Sequence, residues 1–309
     1  MLVTIFGGGG FVGRYVAQEL LARGMRVRIA ERNPGDAMRV KPLGGLGQTQ
    51  LAYADVSKPE TVAAAVAGAD AVVNLVAVLD GDFEKINHQG AANVAKAAAA
   101  AGVNTLVHIS AIGVGADSAS AYGRSKGLAE RDVRTAFPSA TIVRPSIIFG
   151  REDQFTNRFA GLIRMTPVLP IIGGNTKFQP VYVVDVARAI ASAVADGGAH
   201  AGKTYELGGP EVMSMAEINA WLANAIGHDP AMLPVPDAVA AGIARFTGWL
   251  PGAPITYDQW LMLQQDNVVA PKAKGLSALG VSPTPLAAVA DSWLVQYRKH
   301  GRFTGSAKA

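Results

Sequence analysis

Four consecutive glycines, Gly7 to Gly10, stand between an apolar stretch and a helix-like stretch in the segment IFGGGGFVGRY (5–15). The spacing Gly7-x-x-Gly10-x-x-Gly13 follows a predicted strand and opens a predicted helix, and in that setting the pattern indicates a dinucleotide site. Gly7 and Gly10 allow a tight turn close to a pyrophosphate, and Gly13 lets the helix pack on the strand. The N–H groups at the start of the helix would then face the phosphates. A glycine-rich turn without a ligand is the less favoured alternative.

Six apolar runs alternate with helix-like stretches through the first half of the chain. Near-continuous runs of Val, Ile and Leu are typical of strands buried on both faces of a parallel sheet. The runs are LVTIF (2–6), RVRIA (26–30), TQLAYAD (49–55), AVVNLVAV (71–78), NTLVHIS (104–110) and ATIVRPS (140–146). An alanine-rich stretch at 87–102, closed by Gly102, predicts one of the intervening helices. The alternation predicts an α/β fold, with a Rossmann-type doubly wound parallel sheet over residues 1–150.

The pattern changes after Pro145, where proline and glycine interrupt the apolar runs. The segment 179–197 reads as a strand followed by a helix, with Asp185 as a possible N-cap residue. A second helix is predicted at 214–227, where Ser214 and Glu217 form a capping box. Residues 151–309 are therefore predicted to form a smaller C-terminal cap of mixed helices and short strands, packed on the first domain.

Composition excludes several classes of function. The chain has no cysteine, and its five histidines lie far apart, so neither a thiolate site nor another metal site is expected. Basic residues exceed acidic ones by only four and are scattered, which argues against a nucleic-acid partner. The chain opens on strand-like residues without a leader pattern, and no apolar stretch reaches the roughly 18 residues of a membrane span. We therefore expect a cytoplasmic protein.

The end of the second predicted strand bears on the choice of cofactor. An acidic residue there would bind the ribose 2′-hydroxyl of NAD, whereas an arginine would bind the 2′-phosphate of NADP. The sequence offers both, as Glu31 and Arg32, so spacing alone leaves the choice open. Asp55, after the third strand, is placed to accept a hydrogen bond from the adenine amino group, and a helix cap is an equally good interpretation.

Tyr122 and Lys126 are four residues apart in AYGRSKGLAER, hence on one face of a predicted helix. An ammonium group near the phenol would lower the pKa of Tyr122 and make it a usable acid for hydride transfer to a carbonyl. A simple surface pair is the alternative.

With the glycine motif and this Tyr/Lys pair, the first 150 residues resemble the extended or atypical branch of the short-chain dehydrogenase/reductase superfamily. The resemblance implies a third residue, a serine or threonine at the end of the fifth strand that polarises the substrate carbonyl. That position, just after Ser110, is held by Ala111. Ser110 lies one position earlier, where we expect its side chain to face the other side of the strand. The sequence therefore keeps the parts that hold a nicotinamide cofactor and lacks one that would use it.

Four further segments resemble the NADPH-binding accessory subunit family of respiratory complex I, NADH:ubiquinone oxidoreductase. With them the resemblance extends over nearly the whole chain. They are MRVKPLGGLGQ (38–48), RPSIIFGREDQFTNRFAGL (144–162), QPVYVVDVARAI (179–190) and GVSPTPLAAVADSWL (280–294). The resemblance implies a structural NADPH, no hydride transfer, and core complex I subunits near the quinone site as partners. It also implies a peripheral position, here on the cytoplasmic face of the inner membrane.

The same resemblance places Arg32 at the 2′-phosphate, which favours NADP(H). Glu31 departs from the family pattern, so NAD(H) stays open. The predicted cofactor-binding set comprises Gly7, Gly10, Phe11, Val12, Gly13, Glu31, Arg32, Asp55, Val56, Val76, Ala77, Ser110, Tyr122, Lys126, Pro145 and Ile148.

Two questions stay open at the sequence level. The segment 242–263 concentrates aromatic and aliphatic residues, including Phe246, Trp249 and Trp260, which would either contact a partner or membrane surface or fill the core of the cap. The alternative function is an active reductase, epimerase or dehydratase on a small or quinone-like substrate, with Tyr122 as acid or base and Lys126 as its modulator. A cofactor-sensing regulator is a third interpretation.

Overall fold

The computed structural model describes residues 1–250, 253, 255–299 and 301. Seven strands form one parallel sheet in the order β3-β2-β1-β4-β5-β6-β11. These strands are β1 (Leu2–Phe6), β2 (Arg26–Glu31), β3 (Thr49–Tyr53), β4 (Ala71–Asn74), β5 (Thr105–Ile109), β6 (Thr141–Pro145) and β11 (Thr204–Leu207). The first six are the six predicted runs, so the α/β Rossmann-type fold is confirmed.

Helices cover both faces of this sheet, as a doubly wound fold requires. α2, α3 and α4 pack on one face, where their apolar residues join those of the strands in a buried cluster that includes Phe6, Val72 and Leu106. α1 and α6 pack against each other. The helices of this part are α1 (Phe11–Ala22), α2 (Pro59–Val66), α3 (Gly90–Ala100), α4 (Ala121–Ala136), α6 (Val183–Ala195) and α7 (Gly197–His200).

Two irregular helical segments interrupt the alternation. Residues Pro34–Leu43 form a 3₁₀ segment between β2 and β3. Residues Glu84–Gln89 form a short π-helix that runs directly into α3. The helix predicted over 87–102 therefore changes its hydrogen-bond pattern at Gly90, and Gly102 adopts a φ of +68° just beyond its end, as a closing glycine does.

The chain divides into two compact units that interleave in sequence. The first unit takes residues 1–145, 183–207 and 269–282, and the second takes 146–182, 208–268 and 283–309. The observed division therefore differs from the predicted single boundary after residue 150. The physical reason is that α6, the seventh strand β11 and the segment that bonds to it come from later parts of the chain; Glu206 Oε2 accepts a hydrogen bond from Ala270 N at 2.9 Å.

The second unit consists of helices and pairs of short strands around an apolar cluster that includes Phe149, Leu222 and Trp293. Its strands pair as β7 with β10, β9 with β12, and β8 with β13. They are β7 (Ile148–Phe149), β8 (Val168–Ile171), β9 (Lys177–Phe178), β10 (Val181–Tyr182), β12 (Met213–Ser214) and β13 (Ala231–Pro234). Its helices are α5 (Thr156–Met165), α8 (Met215–Ile226), α9 (Asp237–Thr247), α10 (Tyr257–Met262), α11 (Leu286–Val289) and α12 (Asp291–Leu294). Single 3₁₀ turns lie at Leu276–Leu279 in the first unit and at Val295–Tyr297 in the second.

Two predictions about helix starts have different outcomes. The capping box of α8 is confirmed, because Ser214 Oγ accepts from Glu217 N at 3.2 Å and the Glu217 carboxylate accepts from Ser214 N at 2.7 Å. The N-cap role of Asp185 is wrong. α6 begins at Val183, so Asp185 lies inside its first turn, buried and 3.7 Å from the Arg188 guanidinium. A negative charge in the first turn still complements the helix dipole.

Candidate functional site

The predicted cofactor residues of the first unit meet at the carboxyl edge of its sheet. β1 and β4 are neighbours, so the winding of the chain reverses between them. Ligands of open α/β sheets bind in the crevice at such a switch point. The predicted residues that end or follow a strand at this edge are Gly7, Glu31, Arg32, Asp55, Val56, Val76, Ala77, Ser110 and Pro145. Phe11, Val12 and Gly13 open α1, Tyr122 and Lys126 lie on α4, and Ile148 belongs to the second unit.

The glycine loop is tight at two of its predicted positions. Gly7 adopts a φ of +78°, and a Cβ placed there would lie 3.3 Å from Val76 N, across the switch point. A Cβ at Gly13 would lie 2.2 Å from Gly7 O and 2.6 Å from Gly8 Cα. The first turn of α1 therefore packs directly on the loop, and only glycine fits at either position.

The start of α1 has the electrostatic character of a phosphate site. Gly10, the N-cap residue, has no side chain to accept a bond from the first-turn N–H groups, and the first turn carries no acidic residue. The positive end of the helix dipole therefore faces the crevice without an internal carboxylate. A loop without Cβ atoms beside such a helix end fits a cofactor pyrophosphate.

Gly9 is held from both sides by charged residues. Its N–H donates to Glu31 Oε1 at 2.7 Å, and its carbonyl accepts from Arg39 Nη2 at 2.8 Å. Arg39 comes from the 3₁₀ segment Pro34–Leu43, which lacks the periodicity that singles out an amphipathic helix. Arg39 is absent from the predicted site residues for that reason; its only signal in the sequence is an arginine within ten residues of the ribose-binding position.

The carboxylate of Glu31 sits in a mixed electrostatic environment. Burial raises the pKa of Glu31 above its ordinary value, against the lowering effects of the Gly9 N–H and of the Arg32 and Arg39 charges, while Asp36 adds to the rise. Arg32 is exposed at the end of β2. Both side chains predicted to choose between NAD and NADP thus lie at the expected edge, and Glu31 is already bonded to the loop.

Asp55 supports a turn rather than a helix cap. Its Oδ1 accepts from Ser57 N at 3.0 Å and from Ser57 Oγ at 2.8 Å, whereas α2 begins at Pro59 after Lys58. Burial alone would raise the pKa of Asp55, but the two Ser57 bonds and the charges of Lys58 and Arg32 bring it below its ordinary value. Asp55 is therefore an ionised acceptor at the carboxyl end of β3, and the helix-cap interpretation is wrong.

Tyr122 and Lys126 lie in the first turns of α4, as predicted, but the phenol is not activated. Burial raises the pKa of Tyr122 to about 12, the opposite of the predicted direction. The ring of Phe83 packs edge-on against it, with the ring centres 6.1 Å apart. Lys126 Nζ donates to the main-chain carbonyl of Ile109 at 2.6 Å. The predicted lowering of the Tyr122 pKa is therefore wrong, because burial dominates.

Lys126 is the most deeply buried cation of this edge, with 1% of its surface exposed. Burial lowers the pKa of Lys126 from 10.5 to about 8, against the raising effect of Glu130. Glu130 is in turn paired with Arg144, at 2.6 Å between Oε2 and Nη2. Lys126 thus stands in the interior as a cation that loses its proton readily.

A buried asparagine and a buried histidine stand side by side on neighbouring strands, Asn74 on β4 and His108 on β5. Asn74 Nδ2 lies 3.3 Å from His108 Nδ1, and Asn74 Oδ1 accepts from Val76 N at 3.1 Å. Burial and the Lys126 charge hold the pKa of His108 well below its ordinary range. His108 is therefore a neutral structural residue that helps Asn74 fix the chain beyond β4.

Ser110 extends the ladder beyond β5, since its N–H donates to Val143 O at 2.7 Å. Its Oγ is buried and forms no hydrogen bond with any described residue, Tyr122 included. The polarising hydroxyl expected of an active reductase is therefore not joined to the Tyr/Lys pair.

Asn87, in the π-helix, is a further polar residue that the sequence analysis missed. Its Oδ1 accepts from Val78 N at 2.8 Å, and its Nδ2 donates to Val78 O at 3.0 Å and lies 3.4 Å from Ser125 Oγ. π-Helical turns often occur at functional sites. Here the turn places a buried amide that joins the chain beyond β4 to α4, and the polar NHQ within an alanine-rich helix was its only signal.

The named aromatic residues of the apolar segment 242–263 differ in their exposure, and residues 251, 252 and 254 of this segment lie outside the described residues. Phe246 and Trp249 are 75% and 77% exposed, whereas Trp260 is partly buried and donates from Nε1 to Asp237 at 3.0 Å. Over the described part of the chain, no helix has the length and apolar character of a bilayer span. Within the same residues, no group of three or more histidine, aspartate or glutamate side chains could hold a metal ion.

Residues 7–196 match the model of a family described as NAD(P)H-binding. That match covers more than half of the chain and includes the glycine loop and α4. The chain belongs to the NAD(P)H-binding family. The predicted membership of a nicotinamide-nucleotide-binding, short-chain-dehydrogenase-like family is therefore confirmed.

Within this family, the resemblance to complex I subunits is also confirmed. This NAD(P)H-binding protein is 35% identical to the mitochondrial NADH dehydrogenase [ubiquinone] 1 alpha subcomplex subunit 9 of Arabidopsis thaliana, over 99% of this chain and 80% of that protein. It is 28% identical to the ceramide reductase of Caulobacter vibrioides, over 76% of this chain and 74% of that protein.

Solved structures support the same fold. The crystal structure of the NADPH-dependent quinone oxidoreductase of Escherichia coli in complex with NADPH aligns with a TM-score of 0.77 at 20% sequence identity. The alignment covers 94% of this NAD(P)H-binding protein and 99% of the quinone oxidoreductase. At that identity the likeness is one of fold.

Proposed function

We propose that this protein holds NADP(H) as a structural cofactor, without turnover of its own, and is an accessory subunit of, or is associated with, a complex I-type NADH:ubiquinone oxidoreductase. The observation that carries the proposal is the 35% identity to the plant complex I subunit, which extends over 99% of this chain. A likeness of that extent includes the second unit, which the NAD(P)H-binding family model does not cover beyond residue 196.

In this proposal the cofactor lies along the carboxyl edge of the sheet. Its pyrophosphate contacts Gly7, Gly10 and the N-terminus of α1, and its adenosine ribose lies between Glu31 and Arg32. Asp55 accepts from the adenine amino group. The nicotinamide half extends towards Tyr122 and Lys126, with the remaining contacts from Phe11, Val12, Gly13, Val56, Val76, Ala77, Ser110, Pro145 and Ile148.

Two properties of the Tyr122/Lys126 pair on α4 support a cofactor that is bound as a structural element and does not transfer hydride. The phenol of Tyr122 keeps its proton over the whole physiological range, because burial raises its pKa to about 12. The ammonium of Lys126 already donates to Ile109 O, and the Ser110 hydroxyl is not bonded to the pair. In this proposal the Tyr122 phenol is too weak an acid to protonate a substrate efficiently, and Tyr122 and Lys126 are assigned to cofactor retention.

The preference for NADP(H) over NAD(H) rests on charge. Arg32 stands exposed beside the proposed ribose position and can pair with a 2′-phosphate. Glu31 is the residue that would otherwise bind the 2′-hydroxyl, but its carboxylate oxygen Oε1 already accepts from Gly9 N. NAD(H) is the weaker ligand in this proposal.

The test of this preference is a pair of arginine variants at the two ends of β2, since Arg32 directly follows its last residue and Arg26 is its first. Arg32→Ala is expected to weaken NADPH binding about tenfold, the usual worth of a charge-assisted bond, and to leave NADH binding nearly unchanged. Arg26→Ala, at the opposite end of the same strand, is the matched control. Equal losses for NADPH and NADH in Arg32→Ala would contradict the assignment.

We place the partner contact on the exposed apolar residues at and just beyond the end of α9, which include Phe246 and Trp249. Single exposed aromatic residues are common, but two neighbours above 70% exposure form a patch that a partner or a membrane surface can cover. The proposed partners are core complex I subunits near the quinone site, and the proposed location is the cytoplasmic face of the inner membrane.

The deciding experiment is recovery of the tagged protein from native membranes in mild detergent, with its partners identified by mass spectrometry. Core complex I subunits in stoichiometric amounts are the expected result. Phe246→Ser should reduce this recovery, whereas Leu46→Ser, which alters a fully exposed apolar residue of the first unit, should leave it unchanged. Recovery of the protein alone would contradict the proposed association.

The second candidate function is an active reductase. Its support is the intact Tyr122/Lys126 pair on one face of α4, together with the relative that is named a ceramide reductase. A screen of ketones and quinones with NADPH, followed by absorbance, tests it. Turnover that disappears in Tyr122→Phe would favour this function, and an absence of turnover would favour the structural cofactor.

A further inference from the structure

The glycine loop is attached to its surroundings through Gly9, which is not one of the three glycines of the predicted motif. Gly9 donates its N–H to Glu31 and accepts from Arg39 through its carbonyl, at 2.7 and 2.8 Å. A Cβ at Gly9 would lie 3.0 Å from the Ala37 Cβ and 3.1 Å from Glu31 Oε1. The 3₁₀ segment that carries Ala37 and Arg39 therefore lies directly against the loop.

Charge balance around Glu31 requires a second cation if a phosphate is to bind here. A phosphomonoester carries roughly −1.5 to −2 charges at neutral pH. Arg32 can offset the Glu31 carboxylate or part of the phosphate charge, but not both, and Asp36 adds another negative charge nearby. Arg39 is the other cation whose charge acts on Glu31.

The geometry of Arg39 leaves it able to serve two acceptors. Among the described residues, its one hydrogen bond runs from Nη2 to Gly9 O, and a guanidinium has five N–H donors. The side chain is exposed rather than enclosed in the core. A phosphate beside Glu31 can therefore reach the remaining donors while Nη2 keeps its bond to the loop.

We infer that Arg39 is a specificity-determining residue for the phosphorylated cofactor, binding the 2′-phosphate of NADP(H) together with Arg32 and offsetting the charge of Glu31. The inference rests on the proposed function, because it assigns a residue to the cofactor site proposed above. It goes beyond that function by assigning the 2′-phosphate to two segments, the end of β2 and the 3₁₀ segment that follows it.

The experiment measures the dissociation constants of NADPH, NADH, 2′,5′-ADP and 5′-AMP by isothermal titration for the wild-type protein and for Arg39→Ala. We expect Arg39→Ala to weaken NADPH and 2′,5′-ADP about tenfold or more, and NADH and 5′-AMP less than about threefold. Arg23→Ala, an exposed arginine at the end of α1, is the matched control for the loss of one positive charge.

A rescue variant separates an electrostatic role from a purely structural one. In Glu31→Gln the amide oxygen can still accept from Gly9 N, but the negative charge is removed. The double variant Arg39→Ala/Glu31→Gln should therefore regain part of the NADPH affinity lost in Arg39→Ala. A thermal melt of each variant checks that it is folded, and Arg39→Lys should retain intermediate affinity because it keeps the charge without the planar fork.

The outcomes distinguish the inference from the function on which it rests. Equal weakening of NADPH and NADH in Arg39→Ala, without rescue by Glu31→Gln, would show that Arg39 only supports the loop and would overturn the inference. Unchanged NADPH binding in Arg39→Ala would also overturn it. A wild-type protein that binds neither NADPH nor NADH would instead overturn the proposed function itself.

Discussion

Lys126 illustrates at the residue scale how burial decides what a side chain can do. The spacing of Tyr122 and Lys126 is that of an acid and its modulator, but both groups lie where water is scarce. Burial shifts the pKa values of the two groups in opposite directions, because it favours the neutral form of each. Tyr122 holds its proton more tightly, and Lys126 releases its proton more readily.

The lowered pKa of Lys126 predicts a pH dependence of stability. Below about pH 8 the lysine is charged in both the folded and the unfolded chain, so the folded protein bears the full penalty of a buried charge. Between about 8 and 10.5 the unfolded chain binds a proton that the folded chain does not, and stability therefore rises with pH. Above 10.5 this contribution becomes constant.

The measurement is the melting temperature of the wild-type protein and of Lys126→Met between pH 7 and 10.5. The wild type should gain stability relative to Lys126→Met as the pH rises through this range. Lys96→Met, at an exposed position of α3, is the matched control for the replacement of a lysine by methionine. A constant difference between wild type and Lys126→Met would refute the lowered pKa.

At the scale of elements, the glycine loop and α1 act as one packed piece. Gly13→Ala would bring a Cβ within 2.2 Å of Gly7 O, so either the helix or the loop must move. We expect this variant to lose about 1–3 kcal/mol of unfolding free energy, the usual cost of overpacking, and to bind NADPH more weakly.

The control for Gly13→Ala is Gly242→Ala, in the middle of α9, where a Cβ would meet nothing within 4 Å. That variant should gain up to about 1 kcal/mol, because alanine is the better helix former. Denaturant titration of both variants provides the comparison. Similar effects in the two would mean that the contact between α1 and the loop is not tight.

Elements with a strong repeating pattern could be predicted, and those fixed by distant contacts could not. The first six strands of the sheet lie in the six apolar or near-apolar runs, and the prediction of each is confirmed. β11 has only four residues, in which half-buried and buried positions alternate. It pairs with β6, about 60 residues earlier in the chain. Its sequence therefore lacks an apolar run that would predict a strand of the sheet. Asp185 was misplaced because β10 runs into α6 without a polar break.

The same distinction applies to the candidate site. Strand ends and motif spacing are enough to predict where four site residues lie: Gly7, Gly13, Glu31 and Asp55. Arg39 does not, because its contact with Gly9 depends on how the 3₁₀ segment folds back on the loop. The Tyr122 pKa could not be predicted either, since its direction depends on burial under Phe83 and neighbouring elements rather than on the distance to Lys126 in sequence.

For the whole molecule, a cofactor that binds only the folded state must raise its stability. The gain is RT ln(1 + [L]/Kd), or about 4 kcal/mol when the free ligand exceeds Kd a thousandfold. NADPH should therefore raise the melting temperature, and NADH at the same concentration should raise it less. Equal melting with and without NADPH would count against a bound cofactor.

The order of the sheet's segments along the chain also determines when the sheet can be completed during synthesis. During synthesis the ribosome completes β6 long before β11, which covers its outer side, and the segment that bonds to β11 emerges later still. Until residue 207 is outside the ribosome, the nascent sheet therefore carries an uncovered strand at one edge, which is the surface most prone to pairing with other chains. Until then, pairing of this edge with another chain competes with completion of the sheet.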